Sequence, residues 1–137
     1  MKGYLIDTNV LSELRKTSPS EAVVRWLIST SPESLFVSVL TLGELSHGVE
    51  VLRSHDSTNA LYLERWIATI QTQFADRILG VDLEVAKYWA KISPQQPLGV
   101  IDGLLAATAI AHDLCVATRN TKDFERSGVE LINPFAV

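Results

Sequence analysis

A single cysteine, Cys115, stands among the 137 residues, so no disulfide can form within the chain. Its apolar neighbours Leu114, Val116 and Ala117 mark a buried thiol, which suits a reducing compartment. No apolar stretch approaches the ~20 residues a membrane helix needs, and no basic segment followed by an apolar one opens the chain as a secretory signal would. These absences point to a cytoplasmic protein. Cations are also scarce: 12 Lys and Arg against 16 Asp and Glu give a net charge of -4, with a pI near 5.3. A general nucleic-acid-binding surface needs clustered Lys and Arg and a high pI, so that class is excluded. An acidic protein that acts on phosphates would need a metal ion.

Familiar catalytic signatures are missing as well. There is no Gly-x-Ser-x-Gly elbow, no Gly-x-x-x-x-Gly-Lys phosphate loop and no cysteine pair for zinc. Glu44 and His47 stand at the i, i+3 spacing of di-iron bundles, but that architecture needs the motif twice and only one copy exists. His47, His55 and His112 therefore read as surface or hydrogen-bonded histidines. With 47% hydrophobic and 20% charged residues the composition is that of an ordinary globular protein, free of repeats and low-complexity segments. The length suits one domain over residues 1–137, enough to bury roughly two-thirds of the unfolded chain's surface.

What the chain does contain is an alternation of short apolar runs and longer helical patterns. Tyr4-Leu5-Ile6 is a continuous apolar run of the kind a fully buried parallel strand shows, and it ends in Asp7-Thr8-Asn9, where a helix carrying Val10, Leu11 and Leu14 can be capped. A second helix starts at Pro19-Ser20-Glu21 with Ser18 as its cap and Val23, Val24, Leu27 and Ile28 as its buried face. Trp26 lies beside that stripe, either at the rim of the core or half-exposed toward a partner. Leu35 to Val39 reads as a strand, followed by a helix buried through Leu42, Leu45, Val49 and Leu52, with Glu44 flanking the stripe. Ser57 to Phe74 is a longer helix with Leu63, Trp66, Ile67, Ile70 and Phe74 on one face. Arg77 to Val81 is a short strand, and Asp82 caps a helix through Val85, Ala86, Trp89 and Ala90. The loop Ser93 to Gly99 leads into the alanine-rich helix from Val100 to Ala111, with Asp102 in its first turn. Leu114 to Ala117 is a further strand that runs into Thr118-Arg119-Asn120, then a short helix holding Asp123 and ending near Gly128, and a last strand from Val129 to Ile132. Strands alternating with helices predict an α/β fold with a mostly parallel sheet of about four to five strands and helices on both faces.

Asp7, Glu44 and Asp123 each follow a strand closely, and Asp102 opens a helix after a Pro/Gly loop. In open α/β sheets ligands bind just outside the carboxyl ends of the strands, so all four acids can converge on one edge. Taken singly, each is more often a helix cap or a solvated surface acid. If they meet, joint ionisation is disfavoured without a cation, and hard oxygen donors suit Mg²⁺ or Mn²⁺ rather than zinc. Such an ion would polarise a phosphodiester and lower the pKa of a bound water, which is the chemistry of metal-assisted phosphodiester hydrolysis.

With Leu5-Ile6-Asp7-Thr8-Asn9, Ser38 to Leu45, Ile101-Asp102-Gly103 with Leu104 to Ala107, and Thr118-Arg119-Asn120 with Asp123-Phe124 in this order, the chain resembles a PIN-domain ribonuclease of the VapC toxin type. The resemblance spans nearly the whole chain. It implies a single PIN-like domain in which Asp7, Glu44, Asp102 and Asp123 hold Mg²⁺ or Mn²⁺ for cleavage of single-stranded or loop RNA, with Asn9, Thr118 and Asn120 as polar support. Capping of the first helix then falls to Thr8 or Asn9. Some family members carry an acid where this chain has Asn120, which leaves Asp123 to supply the fourth charge. A cognate antitoxin and a homodimer are further implications. Arg15, Lys16, Arg119, Lys122 and Arg126 are the cations available to RNA phosphates, Arg119 the best placed of them. Two other readings compete: a non-catalytic RNA-binding or regulatory module on the same fold, and a phosphatase of the haloacid dehalogenase type, whose second Asp would fall where Asn9 stands.

Overall fold

Five short strands, every one parallel to its neighbours, make the sheet on which the rest of the chain is hung. The computed structural model describes residues 2–137, so Met1 of the expected 1–137 domain lies outside them. The strands are β1 (Tyr4–Ile6), β2 (Leu35–Ser38), β3 (Ile78–Leu79), β4 (Cys115–Ala117) and β5 (Leu131–Ile132), in the spatial order β3-β2-β1-β4-β5. Tyr4 is in register with Leu35 on one side and with Cys115 on the other. Parallel neighbours need crossovers, and these are supplied by α1 (Thr8–Leu11), α2 (Glu21–Ser29), α3 (Val39–Arg53), α4 (Ser57–Gln73), α5 (Leu83–Lys91) and α6 (Val100–Ala111), with 3₁₀ turns over Ser12–Arg15, Pro32–Ser34 and Thr121–Ser127.

Burial explains why the strands read as unbroken apolar runs. Successive side chains point to opposite faces, and both faces are covered. One face joins Ile6, Val37 and Ala117 to the core residues of α1 to α4; the other joins Leu5 and Val116 to Leu105, Ala106 and Ala109 of α6 and to Phe124. Alanines on α6 let it lie close to the sheet. Gly103 serves the same end against α5, because a Cβ there would meet the Trp89 ring at 3.1 Å. The turn Thr121–Ser127 stops at Gly128, whose φ of 75° is left-handed and favours glycine. Cys115 is buried, and among the described residues no helix is long and apolar enough to cross a membrane.

Strands are shorter than expected where Val39 starts α3, β3 keeps only Ile78–Leu79 and β5 only Leu131–Ile132, and helix caps and faces differ in three places. The cap of α2 is Ser20, whose Oγ accepts from the Val23 N–H at 3.4 Å, rather than Ser18. The buried stripe of that helix is centred on Val23 and Trp26, while Ile28 is 80% exposed. Trp26 meets Tyr4 edge to face with ring centroids 5.0 Å apart, so an aromatic pair draws the helix round by about one residue. The third difference lies at Asp7, which itself occupies the N-cap of α1 in place of Thr8 or Asn9.

Candidate active site

Asp7 follows the last residue of β1, where the chain turns from the sheet into α1, and its two carboxylate oxygens are used differently. Oδ1 accepts the Thr8 backbone N–H at 2.8 Å and so caps the helix. Oδ2 accepts the Thr118 hydroxyl at 2.8 Å and the Asn9 side-chain amide at 3.3 Å. Thr118 follows β4, the neighbour of β1, and is fully buried. Its Oγ1 also accepts the Asn120 N–H at 3.0 Å, and Asn9 Oδ1 accepts the Arg119 N–H at 3.0 Å. The predicted polar support thus splits. Asn9 and Thr118 bind the Asp7 carboxylate directly, whereas Asn120 and Arg119 reach it through their backbone.

Glu44 projects from the second turn of α3, which Ser38 caps through the Leu40 N–H at the end of β2. Its Oε1 accepts the Thr8 hydroxyl at 3.0 Å, so two adjacent strand ends are tied by one residue. Sequence reasoning gave Thr8 only a capping role. Its place between Asp7 and Asn9, with a hydroxyl free to bond, was the signal for this second role.

Asp102 is half-buried in the first turn of α6. Burial raises its carboxyl above the ordinary value, and the negative charges of Asp7, Asp123 and Glu44 raise it further. Asp7 is raised too: burial is the largest cause, the Thr118, Thr8 and Asn9 hydrogen bonds oppose it, and the charge of Asp123 adds to it. Asp123 is exposed in the turn Thr121–Ser127. Asp102 thus lies within electrostatic reach of Asp7, Asp123 and Glu44, and Asp7 within reach of Asp123. Among the described residues no lysine or arginine forms an ion pair with any of the four.

The donor set is entirely carboxylate oxygen, the type that Mg²⁺ and Mn²⁺ prefer. Among the described residues no three His, Cys, Asp or Glu side chains close into a metal cage. An open set of this kind fits an ion that keeps several of its waters, as Mg²⁺ does when held by one or two carboxylates. A bound cation would relieve the crowding of negative charge around Asp102.

Of the five cations considered for RNA phosphates, two are engaged elsewhere. Lys16 pairs with the buried Glu13, whose other oxygen accepts the Ser20 N–H at 2.9 Å. These two donors, with Lys16 foremost, hold Glu13 below the usual carboxylate range. Arg126 donates to the carbonyls of Gln96 at 3.1 Å and Pro97 at 3.3 Å, clasping the loop that leads to Asp102. Arg119 lies over the Phe135 ring at 4.4 Å from its centroid and is exposed. Arg15 and Lys122 are exposed. His47, His55 and His112 are exposed as expected.

Known proteins resemble this chain in sequence and in fold. The family model for the PIN domain matches residues 4–129. Toxin FitB of Neisseria gonorrhoeae is 40% identical over 136 residues, covering 96% of this chain and 97% of FitB. A VapC ribonuclease of Sinorhizobium fredii is 35% identical over 136 residues, covering 96% of each chain. The crystal structure of FitAcB from Neisseria gonorrhoeae matches with a TM-score of 0.85 at 39% identity, covering 98% of this chain and 99% of that one. The chain belongs to the PIN-domain family, in the group that holds the VapC ribonucleases and toxin FitB.

Proposed function

We propose that this protein is a metal-dependent endoribonuclease toxin of the cytoplasm that cuts single-stranded or loop RNA and is neutralised by a cognate antitoxin. The observation that carries the reading is that Asp102 lies near Asp7, Asp123 and Glu44 at the carboxyl edge of the sheet, while among the described residues no lysine or arginine pairs with any of the four. Asp7, Glu44, Asp102 and Asp123 are the residues that would hold Mg²⁺ or Mn²⁺. When bound, such an ion supplies polarisation of the phosphodiester and a water made acidic enough to attack at neutral pH. Thr118 and Asn9 fix the Asp7 carboxylate in one orientation, as outer hydrogen bonds commonly do for metal ligands. Thr8 does the same for Glu44. Asp123 supplies the fourth charge where Asn120 cannot. Arg119, exposed beside Asn9, is placed to meet a phosphate of the strand.

The domain takes in the whole chain, residues 1–137, and the working unit is a homodimer. The antitoxin follows from the group to which the chain belongs, whose relative FitB is a toxin. A non-catalytic RNA-binding module on the same fold is the competing reading, and the presence of four acids near one edge of the sheet argues against it. The test is to incubate the purified protein with a single-stranded RNA in Mg²⁺, in Mn²⁺ and in chelator, beside Asp102→Ala. Cleavage only with metal, abolished in a folded Asp102→Ala chain, is the expected result. Cleavage unchanged by chelator and by the substitution would overturn the proposal.

A further inference from the structure

We infer that a pocket of about 490 Å³ lined by Arg15, Leu52, Asn59, Tyr62, Leu63 and Trp66 is a subsite for one base and one phosphate of the RNA strand. This rests on the ribonuclease reading above and names where that strand runs beyond the acids. The pocket lies between the turn Ser12–Arg15, the end of α3 and the first half of α4. Both of its routes lead back to the acid site. The turn continues directly from α1, which Asp7 caps, and α3 carries Glu44 toward one end and Leu52 toward the other. The step from Glu44 to Leu52 is about 12 Å at the helical rise of ~1.5 Å per residue. A stacked strand covers that in roughly three or four nucleotides at ~3.4 Å each.

The lining has the chemistry a single-stranded nucleotide needs. Tyr62 and Trp66 are one turn apart on α4 and share a face, so their rings form the walls on which a base can stack. Tyr62 is 64% exposed, unusually open for a large aromatic side chain that packs into no core cluster. Trp66 is half-buried against the core and cannot swing away. Asn59 gives one amide N–H to Asp56 Oδ2 at 2.7 Å, which leaves its other N–H and its carbonyl oxygen for a base edge. Arg15 supplies the charge: among the described residues no carboxylate pairs with it, in contrast to the adjacent Lys16. A protein partner would be met equally well by aromatic walls. An unpaired guanidinium beside two aromatic rings, on the path from the acids, favours a phosphate and a base.

The experiment measures fluorescence anisotropy of a labelled single-stranded RNA of about 12 nucleotides, in an Asp7→Asn background so that the strand is not cut. Tyr62→Ala, Tyr62→Phe and Arg15→Gln are added singly to the full chain. Tyr62→Ala should weaken binding roughly 5- to 100-fold, and Tyr62→Phe, which keeps the ring, should restore it. Arg15→Gln should weaken binding and flatten the slope of log affinity against log salt by about 0.7, the share of one phosphate. The deficit of Tyr62→Ala should shrink as the RNA is shortened below the reach of the pocket. Affinities equal to the Asp7→Asn chain in all variants overturn the subsite, while metal-dependent cutting by the wild type leaves the ribonuclease reading standing. The same equal affinities with lost rescue of growth by co-expressed antitoxin assign the pocket to a protein instead. A wild-type chain that neither binds nor cuts RNA overturns both.

Discussion

The two edges of the sheet carry acids alike and treat them in opposite ways. At the amino edge, Lys2 stands before β1 and pairs with Glu130 at 2.8 Å and Asp113 at 3.4 Å, acids that precede β5 and β4. Arg77, before β3, donates to the carbonyls of Pro32, Leu35 and Gln73. Both of these cations are answered within the chain. At the carboxyl edge, Asp7 and Glu44 are met by hydroxyls and amides, and the acids raise one another instead of being paired. Acids at one edge are paired with a cation at the surface, where such pairs contribute little, and acids at the other are left to repel one another. Local repulsion tolerated at one place and compensated elsewhere is the usual mark of a working site.

The sharpest break of this contrast is Asp7→Asn. The amide is close in size to the carboxylate and can still accept from Thr8, so the chain should fold with an unchanged circular dichroism spectrum. Its metal-dependent RNA cleavage should fall by on the order of 1000-fold, the scale of losing a reacting group. Equal cleavage by both proteins would remove Asp7 from the site. Thr118→Val comes next. It deletes a donor to Asp7 Oδ2 while keeping the shape of the side chain, and losing such an outer bond should lower cleavage or metal affinity by roughly 10- to 100-fold. Metal titration of the folded variant measures it.

A third prediction concerns stability, where the sign runs against activity. The folded chain favours protonated Asp102, so its contribution to stability is full below the ordinary carboxylate value of 3.8 and is lost as pH rises above it. In metal-free buffer Asp102→Asn should therefore melt higher than the wild type at neutral pH, with the gap closing as the pH falls toward about 4. Adding Mg²⁺ should raise the melting temperature of the wild type more than that of the variant, since only a chain that binds the ion is stabilised by it. A wild type that melts above Asp102→Asn without metal would show that the acids do not destabilise one another. The smallest effect is expected at the other edge. Lys2→Met removes two surface ion pairs, so cleavage should be unaltered and the melting temperature lower by about a degree, a difference that fades in high salt.

The sequence was informative in proportion to how local the cause was. Tyr4-Leu5-Ile6, the Asp82 cap of α5 and the start of α6 at Val100 were legible because apolar runs, capping residues and Pro/Gly loops act within a turn or two. The order of the acids was legible as well, three of them shortly after a strand and Asp102 at the start of a helix after a Pro/Gly loop. The face of α2 was not, because Trp26 is drawn inward by Tyr4, a residue from another element. The double use of Asp7, as cap with one oxygen and as partner of Thr118 with the other, was hidden for the same reason. Thr118 stands 111 positions away along the chain.

By itself, then, the sequence determined an α/β chain with buried parallel strands, three acids set shortly after strands and a fourth at the start of a helix. Those are consequences of periodicity and of the few residue types that can cap or break an element. Tertiary structure alone decided that β1 lies between β2 and β4, and with it that Asp7, Glu44 and Thr118 arrive side by side. The physical reason is that strand order is set by crossovers packing on both faces of a twisted sheet, a property of the whole chain that no single segment carries. Strand order also decided which acids would be paired and which left to face one another.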